Sequence, residues 1–467
     1  MAAGRRTERR RVLVIVQNLP VPLDRRVWLE CQALVAAGYQ VSVICPKGPG
    51  DPAYQELDGV AIHKYRPAPP TTGVLSFAWE FLYCWLATAW LSLKVARRTG
   101  IDVIQACNPP DTYWALALLY RPFGVRFVYD QHDLNPELFL SRFGPPRGLL
   151  ARLQYAAVCW LEGRTYRWAD HVIATNDSYR DVALTRGRRT AASVTVVRSG
   201  PDTRRMRPVA PPERLAGDRH LLVYLGIMGP QDCVDVVVRA LAVLVHRWGR
   251  TDVHAALLGF GDSLEELRRL TRDLDVTEHV TFTGRADRRM IAEYLSAAHI
   301  GLTPDRKTPL NDVSTMNKTL EYMAYALPVV AFDLTETRRS AGDAAVYVPS
   351  GGEEDVTAYA EAIARLLDDP DRRAAMGQEG RRRVSAAFDW AGQARRYVEV
   401  FDGLTGRIPA PRGPVEDGWP RVDRRRASVA ELLDEWGQHV VDLRDPVQLE
   451  RFVITRRADR AAARPPR

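Results

Sequence analysis

Lysine is scarce in this chain of 467 residues: only five of its 65 basic residues are lysines, and the rest are arginines. The net charge of +8 therefore reflects arginine usage. We find none of the interleaved aromatic and basic residues that single-stranded nucleic acid binders use. We therefore expect no nucleic-acid partner, and a lysine inside a motif becomes a better candidate for a specific role.

Paired cysteines and the common hydrolase and metal motifs are also missing. The six cysteines form no CxxC pair, which favours buried free thiols in a reducing compartment. No GxSxG, Walker A or HExxH motif occurs, and the nine histidines include no HxH or HxxxH pair, so we expect no metal site. The basic start leads into residues 12–16, a run too short for a signal-peptide core and typical of a buried strand.

Short apolar runs alternate with amphipathic segments in two successive blocks. This alternation is typical of parallel, doubly wound α/β sheets. The predicted elements include a long helical stretch from Asp133 to Ala169, a strand at 300–303 and a helix at about 316–325. The last predicted helix runs from about 371 to 401 and is broken near 388–390.

Residues 201–219 contain several prolines and arginines with little periodicity, which indicates a linker between the blocks. We predict one Rossmann-like domain over residues 1–202 and a second over 203–387. Residues 406–467 are predicted to form a linker and tail, with a short amphipathic helix at 428–443.

Residues 74–95 form an apolar segment rich in tryptophan, about as long as a membrane span. Three interpretations are open. The segment is a helix that spans a membrane, a helix that lies in the membrane interface with Arg97 and Arg98 toward anionic lipids, or a helix that covers a sheet. Glu80 interrupts the apolar run and argues against a span. A peripheral membrane contact through residues 74–98 is the partner surface that we carry forward.

Residues 311–333 combine a polar loop, an amphipathic helix and a buried strand. Lys318 and Glu321 stand three positions apart near the predicted start of that helix, so they share one face. A helix N-terminus beside a cation suits a phosphate, and a carboxylate one turn further can accept hydrogen bonds from a sugar diol. This spacing indicates a nucleotide-sugar site. Asn317 belongs to the same helix start.

Polar and glycine-rich residues follow the predicted strands, where ligands bind in open α/β sheets. We expect them to form the site. In the first block they are Asp24, Arg25, Arg26, Asn108, His132, Asp133 and Asn176; in the second they are Gly226, Gly229, Gln231, Gly259, Gly261 and Arg285. The alternative for Gly259 and Gly261 is a tight turn from strand to helix.

The chain resembles glycosyltransferase family 4, the retaining nucleotide-sugar transferases of GT-B architecture. The resemblance rests on six stretches that together cover roughly residues 11–405: VQNLPVPLDRRVWLE, YDQHDLNPE, YLGIMGPQDCVD, LLGFGDSLEEL, FTGR and NDVSTMNKTLEYMAYALPVV. It implies two Rossmann-like domains that face each other across a cleft, with the nucleotide on the C-terminal domain and the acceptor on the N-terminal one. It also implies no metal, no cofactor beyond a UDP- or GDP-sugar co-substrate, and a final helix at about 388–405 that crosses back to the first domain.

The resemblance assigns roles to particular residues. Glu321 matches the second glutamate of the family's EX7E motif, which binds the ribose, whereas the first glutamate is replaced by Val313. Asp312 or Asn311 is the candidate to replace it near the donor sugar, and the alternative for both is that they cap the loop. His132 and Asp133 match the family's position beside that sugar.

The loop after the first strand of the second domain lacks the cations that the family often places there. Lys318 is the first candidate to offset the phosphate charge, and Arg198 and Arg285 are the others. Asp24, Arg25, Arg26 and Asn108 are assigned to the acceptor side. The alternative for the first three is that Asp24 caps the following helix and the two arginines form a solvated pair.

The expected function is transfer of a sugar, with retention at the anomeric carbon, to a lipid-linked or polysaccharide acceptor. The expected location is the cytoplasm, at the inner face of the plasma membrane. Two alternatives remain open: a sugar-nucleotide epimerase on the same architecture, and a non-catalytic nucleotide-sugar-binding protein, which the broken EX7E motif favours.

Overall fold

The computed structural model describes residues 10–48, 50–68, 74–210, 212–215, 219–352 and 354–407. The strands in this part of the chain are β1 Arg11–Ile15, β2 Gln40–Pro46, β3 Tyr54–Leu57, β4 Val60–Tyr65, β5 Val103–Cys107, β6 Arg126–Gln131, β7 His171–Ala174, β8 Val194–Val196, β9 His220–Leu225, β10 Val253–Leu258, β11 Val280–Gly284, β12 Ile300–Thr303, β13 Val329–Phe332 and β14 Ala345–Val348. The predicted tail at 406–467 and its helix at 428–443 lie almost entirely outside the described residues.

The helices alternate with these strands, as the sequence predicted. They are α1 Arg25–Ala36, α2 Val74–Arg98, α3 Trp114–Tyr120, α4 Asn135–Phe143, α5 Gly148–Trp168, α6 Asp177–Thr185, α7 Asp235–Ala242, α8 Leu264–Asp273, α9 Arg288–Ala297, α10 Asn317–Ala324, α11 Thr335–Ala341, α12 Asp355–Leu367, α13 Pro370–Arg383 and α14 Trp390–Thr405.

The chain divides into two compact units. The first comprises the residues up to Phe127 and those from Phe401 onward, and the second comprises Val128–Val400. In the first unit the strand order is β3-β4-β2-β1-β5, parallel except for the short hairpin strand β3. The sequence did not predict β3. The predicted domain boundary at 202–203 falls inside the second unit and stays a prediction.

The second unit contains the parallel set β6-β7-β8 and a six-stranded parallel sheet in the order β11-β10-β9-β12-β13-β14. In the six-stranded sheet the inner strands are apolar along most of their length, because helices cover both faces of a parallel sheet. Its core includes Leu222, Leu257, Leu302, Val330 and Phe332, all fully buried. The carboxyl ends of these strands carry the predicted donor-site loops.

Helix α2 buries its hydroxyls and exposes its large apolar side chains. The Thr88 and Tyr113 hydroxyls lie 3.3 Å apart, and those of Ser92 and Tyr120 lie 2.8 Å apart. Side chains at a spacing of three and four residues face solvent on the helix's other side: Trp79, Leu82, Leu86, Trp90 and Leu93, each 42–56% exposed. The tryptophan-rich face is therefore about half exposed, while α2 also packs against β2 and β4, as the sheet-covering interpretation predicted. Among the residues described, no helix is long and apolar enough to cross a membrane.

The last helix is interrupted where the sequence predicted a break. After α13 the residues Val384–Phe388 form a single π-helical turn, and α14 begins at Trp390. The Asp389 carboxylate at the break accepts hydrogen bonds from the backbone N–H and hydroxyl of Thr203, at 2.9 and 2.6 Å. The end of α14 lies in the first unit, where the Tyr39 hydroxyl donates to Asp402 at 2.7 Å.

Candidate functional site

Three loops of the second unit are joined through their main chains at the carboxyl ends of β9, β10 and β11. The Gly226 N–H donates to the Leu258 carbonyl, the Met228 N–H to the Phe260 carbonyl, and the Gly259 N–H to the Gly284 carbonyl, at 2.8–3.0 Å. Such close approach requires residues without side chains. A Cβ on Gly259 would overlap the Gly226 carbonyl oxygen, and one on Gly261 would lie 2.5 Å from that of Met228. Gly259 and Gly261 therefore allow the backbones of neighbouring loops to come into contact, in addition to forming a tight turn.

Lys318 lies beside this group of loops, as the sequence led us to expect. A Cβ on Gly226 would lie 3.4 Å from the Lys318 side chain, whose ammonium is 5.0 Å from the centre of the Tyr224 ring. The ammonium donates to both oxygens of Asp305 at 2.9 Å and lies 3.9 Å from Asp232. Its positive charge is therefore already offset in this state, which the sequence did not predict.

Asp232 belongs to this arrangement as well as to its own loop. Its carboxylate accepts a hydrogen bond from the Gly229 N–H at 3.0 Å. Burial raises the pKa of Asp232, the Lys318 charge opposes that rise, and the Asp305 charge adds to it. Two carboxylates next to one ammonium leave the site short of positive charge for a diphosphate.

Helix α10 begins at Asn317 without a side-chain cap from Met316, and Lys318 is the second residue of its first turn. Asn317 is exposed at this helix start, and Glu321 is partly exposed one turn further along. The helix packs closely on the sheet because Gly301 leaves room for the Tyr322 ring. The Tyr322 hydroxyl donates to the Leu302 carbonyl at 3.1 Å and accepts from the Leu225 N–H at 2.8 Å. Helix α10 is thereby fixed against β9 and β12.

The loop before α10 gives Asp312 and Asn311 identifiable partners. The Asp312 carboxylate accepts hydrogen bonds from the N–H and hydroxyl of Thr335, at 2.8 and 3.1 Å, and so caps the start of α11. Lys307 pairs with it at 3.1 Å. Asn311 is buried and donates to the carbonyls of Arg306 and Gln231. Of the two interpretations of Asp312, the structure supplies contacts for the capping one.

Asn176 and Tyr179 hold that same loop from α6. The Asn176 amide donates to the Val313 carbonyl at 2.9 Å and to the Thr315 hydroxyl at 3.1 Å, while its oxygen caps α6 at Tyr179. The Tyr179 hydroxyl lies 3.2 Å from that of Ser314. The sequence placed Asn176 after a strand but gave it no role. Its position directly after β7 was the feature of the sequence that could have indicated a role at the site.

His132 and Asp133 follow β6 in the same unit. One ring nitrogen of His132 lies 2.8 Å from the fully buried carboxylate of Asp130, which fixes the orientation of the ring. Burial raises the pKa of Asp133, and the charges of His132 and Arg142 oppose the rise. Asp133 is also near enough to Tyr179 that its charge, after burial, raises the pKa of that hydroxyl. The structure thus links the Asp133 loop to the loop at 311–316 through Tyr179.

The two arginines predicted near the phosphates differ in burial and in their ion-pair partners. Arg198 is buried, donates to Glu336 and Asp177 at 2.6 Å, and stacks on Phe388. Its charge is fully engaged, so its predicted phosphate role has no support from these contacts. Arg285 is exposed, stacks on Phe260 at 5.0 Å, and has no carboxylate partner within the described part of the chain.

The residues predicted for the acceptor side lie in the first unit. Asp24 caps α1 by accepting from the Val27 N–H at 3.1 Å, as the capping interpretation predicted. Arg26 pairs with the buried Glu30 at 3.0 Å. Asn108 is buried at the end of β5, and Arg25 is half-buried in the first turn of α1. Nothing in these contacts tests an acceptor role.

The architecture is that of the GT-B glycosyltransferases. A solved sucrose-phosphate synthase from Thermosynechococcus elongatus matches 86% of this chain and all of its own, with a TM-score of 0.69 at 20% identity. HepE of Anabaena, solved in complex with UDP-glucose, matches 84% of this chain and 99% of its own, with a TM-score of 0.62 at 15% identity.

The chain belongs to glycosyltransferase family 4. Residues 23–200 match the family model described as a glycosyl transferase 4-like domain, and residues 219–369 match the model described as glycosyl transferases group 1. Together the two models cover more than half of the chain, which confirms the resemblance seen in the sequence.

Curated relatives match over part of their length. A GDP-mannose-dependent alpha-(1-6)-phosphatidylinositol monomannoside mannosyltransferase of Mycolicibacterium smegmatis is 33% identical over 40% of this chain and 49% of its own. The chain thus spans about half the length of that relative. A glycogen synthase of Mycobacterium tuberculosis is 27% identical over 84% of this chain and 94% of its own.

Proposed function

We propose that the protein is a retaining glycosyltransferase that moves a sugar from a nucleotide-sugar donor to a lipid-linked or polysaccharide acceptor. The observation that carries the proposal is the start of α10. Lys318 and Glu321 lie one turn apart there, beside glycine loops whose main chains are joined at the strand ends. Relatives named as GDP-mannose-dependent transferases and a neighbour solved with UDP-glucose support a nucleotide-sugar donor.

The donor diphosphate binds at the N–H groups that begin α10, close to Lys318. Phosphate oxygens compete with Asp305 and Asp232 for the Lys318 ammonium. Donor binding therefore exchanges hydrogen bonds that the ammonium already makes for new ones to phosphate. Arg285 provides a second cation from the loop after β11, and its stacking on Phe260 offers a flat surface for the base. Glu321 accepts hydrogen bonds from the ribose hydroxyls.

The reaction proceeds on one face of the sugar and retains the anomeric configuration. Negative charge grows on the departing diphosphate, and a helix start with cations stabilises that charge more in the transition state than in the ground state. The donor phosphate takes the proton of the acceptor hydroxyl, so no pair of carboxylates is required. His132, which Asp130 orients, is assigned the position beside the donor sugar. No metal ion takes part.

A donor screen tests the proposal. The purified chain is incubated with UDP-, GDP- and ADP-sugars, and thermal shift and nucleotide release are measured with and without EDTA. We expect one nucleotide class to stabilise the protein, and release to be unaffected by EDTA. Absence of binding to all three classes would overturn the proposal. Donor conversion without an acceptor would favour the epimerase, and binding without release in any acceptor mixture would favour a non-catalytic binding protein.

Glu321→Gln is expected to weaken donor use by about 10-fold, because a hydrogen bond to a charged group contributes roughly 1.5–3 kcal/mol. The measurement is kcat/KM for the donor found in the screen. Glu361→Gln is the matched control, since Glu361 is an exposed helix carboxylate of α12 paired with Arg365. Equal kinetics in the two variants would contradict the ribose-binding role.

We also propose that the exposed face of α2 contacts a membrane surface, which places the protein at the inner face of the plasma membrane. Trp79 and Trp90 are each more than half exposed, and Lys94 lies over the Trp90 ring at 5.2 Å. The six free thiols fit a cytoplasmic location.

Trp79→Ser/Trp90→Ser is expected to lower binding to anionic vesicles by about 10-fold or more, because interfacial helices bind through buried apolar area. Vesicle co-sedimentation measures it. Unchanged sedimentation of this variant would refute the membrane contact of α2.

A further inference from the structure

Helix α5 carries a second exposed apolar face, in the other unit and outside every motif that the sequence singled out. Leu149, Leu153 and Trp160 are 76%, 59% and 52% exposed, and Leu150 beside them is 66% exposed. Positions 149, 153 and 160 lie on one side of a helix, because eleven residues complete about three turns. The apolar stripe is therefore continuous over about 16 Å.

The opposite face of α5 accounts for how this helix is held in the second unit. Thr165 and Tyr166 are buried, and the Tyr166 hydroxyl accepts a hydrogen bond from Gln131 at 2.5 Å. Glu162, the helix's single acidic residue, is buried and pairs with Arg186 at 2.7 Å. The stripe is therefore not the packing face of the helix, and packing gives no reason for leucine or tryptophan there.

On α5 itself, every charged side chain around the apolar stripe is an arginine. Arg147 at the N-cap and Arg152 in the second turn are exposed, and Arg164 lies over the Trp160 ring at 5.1 Å. The single acid of the helix is turned inward and neutralised, so no negative charge of α5 opposes an anionic partner. A leucine and tryptophan stripe with arginines around it combines apolar contact with attraction to anionic headgroups.

We propose that the exposed face of α5 docks on an anionic lipid surface, with the leucines and Trp160 in the interface and the arginines at the headgroups. This surface is distinct from α2 and does not depend on glycosyl transfer. It goes beyond the proposed function by adding a second membrane contact, which lies in the unit that carries the donor loops. A protein partner or a second copy of the chain would be recognised through the same apolar area but would not require anionic lipid.

The test uses the full chain and vesicles of phosphatidylcholine with and without phosphatidylglycerol. Leu149→Ser/Leu153→Ser/Trp160→Ser is expected to lower the partition coefficient for the anionic vesicles by about 10-fold or more. Leu119→Ser/Phe123→Ser is the matched control, because it removes equally exposed apolar side chains from the first unit and should change binding little. Arg147→Gln/Arg152→Gln should weaken binding to the anionic vesicles only.

Each series is repeated on the Trp79→Ser/Trp90→Ser background, which separates α5 from α2. Undiminished binding of the triple variant in both backgrounds would overturn the proposal, as would an equal loss in the control. A change in the mass of the wild-type chain by sedimentation that the triple variant abolishes would assign the face to a second copy. Nucleotide release by the triple variant is measured in parallel, so a failure of donor chemistry is seen separately from a failure of docking.

Discussion

Lys318→Met is expected to weaken donor binding by at least about 10-fold and to destabilise the fold, because this lysine has two tasks. Its ammonium is the cation nearest the start of α10, and hydrogen bonds to charged groups contribute roughly 1.5–3 kcal/mol. It also neutralises Asp305, which is only 2% exposed. Removing one partner of a buried pair leaves an uncompensated charge and costs about 3–5 kcal/mol. Donor titration and chemical denaturation measure the two effects.

A double substitution separates these effects. In Lys318→Met/Asp305→Asn the most deeply buried carboxylate is neutral, and the less buried Asp232 keeps its hydrogen bond from the Gly229 N–H, so we expect most of the lost stability to return. Donor affinity should remain low, because the cation is still missing. Recovery of both properties would show that Lys318 acts on the donor only by stabilising the fold. Wild-type donor affinity in the single variant would remove Lys318 from the site altogether.

Gly259→Ala is expected to reduce the free energy of unfolding by about 2–4 kcal/mol and to impair donor binding. The residue has a φ of +152°, which side chains disfavour, and its Cβ would overlap the Gly226 carbonyl oxygen. The overlap can be relieved only if the loops after β9 and β10 separate, which breaks the main-chain bonds between them. Denaturation and donor titration are measured on the same preparation.

Gly249→Ala isolates the effect of backbone strain. Gly249 also has a positive φ, +66°, but a Cβ there meets nothing within 4 Å. We expect a cost of about 1–2 kcal/mol and unchanged donor affinity. If Gly259→Ala proves no more costly than this control, the close approach of the loops does not matter for stability.

The order of strands and helices was predictable because alternating apolar runs of these lengths are compatible with few other arrangements of secondary structure. The sequence predicted β12 at residues 300–303 and α10 at about 316–325, close to the observed Ile300–Thr303 and Asn317–Ala324. It also predicted a long helical stretch after Asp133, which the structure divides into α4 and α5 at Gly144. Gly144 ends α4 with a φ of +70°, a turn that the sequence interpretation did not use.

The partners of the charged residues could not be predicted. Asp232 reaches Lys318 from the loop after β9 and Asp305 from the loop after β12, and spacing along the chain does not show which loops meet. Arg198 was indistinguishable in sequence from an arginine that faces a ligand, because its partner Glu336 lies 138 positions away. The burial of the Thr88 and Ser92 side chains on α2 could not be predicted either, because their partners Tyr113 and Tyr120 come close only in the folded chain.

The main-chain bonds between the loops after β9, β10 and β11 have a consequence for how donor preference can change. Ile227 and Phe260 stand at the tips of loops whose positions are fixed by N–H and carbonyl groups, and both side chains are largely exposed. Substitutions at these two positions change the side chains on the loop surface but leave the main-chain hydrogen bonds between the loops intact. If the proposed donor site is correct, a small library at positions 227, 260 and 285 should change the nucleotide preference without a large loss of stability.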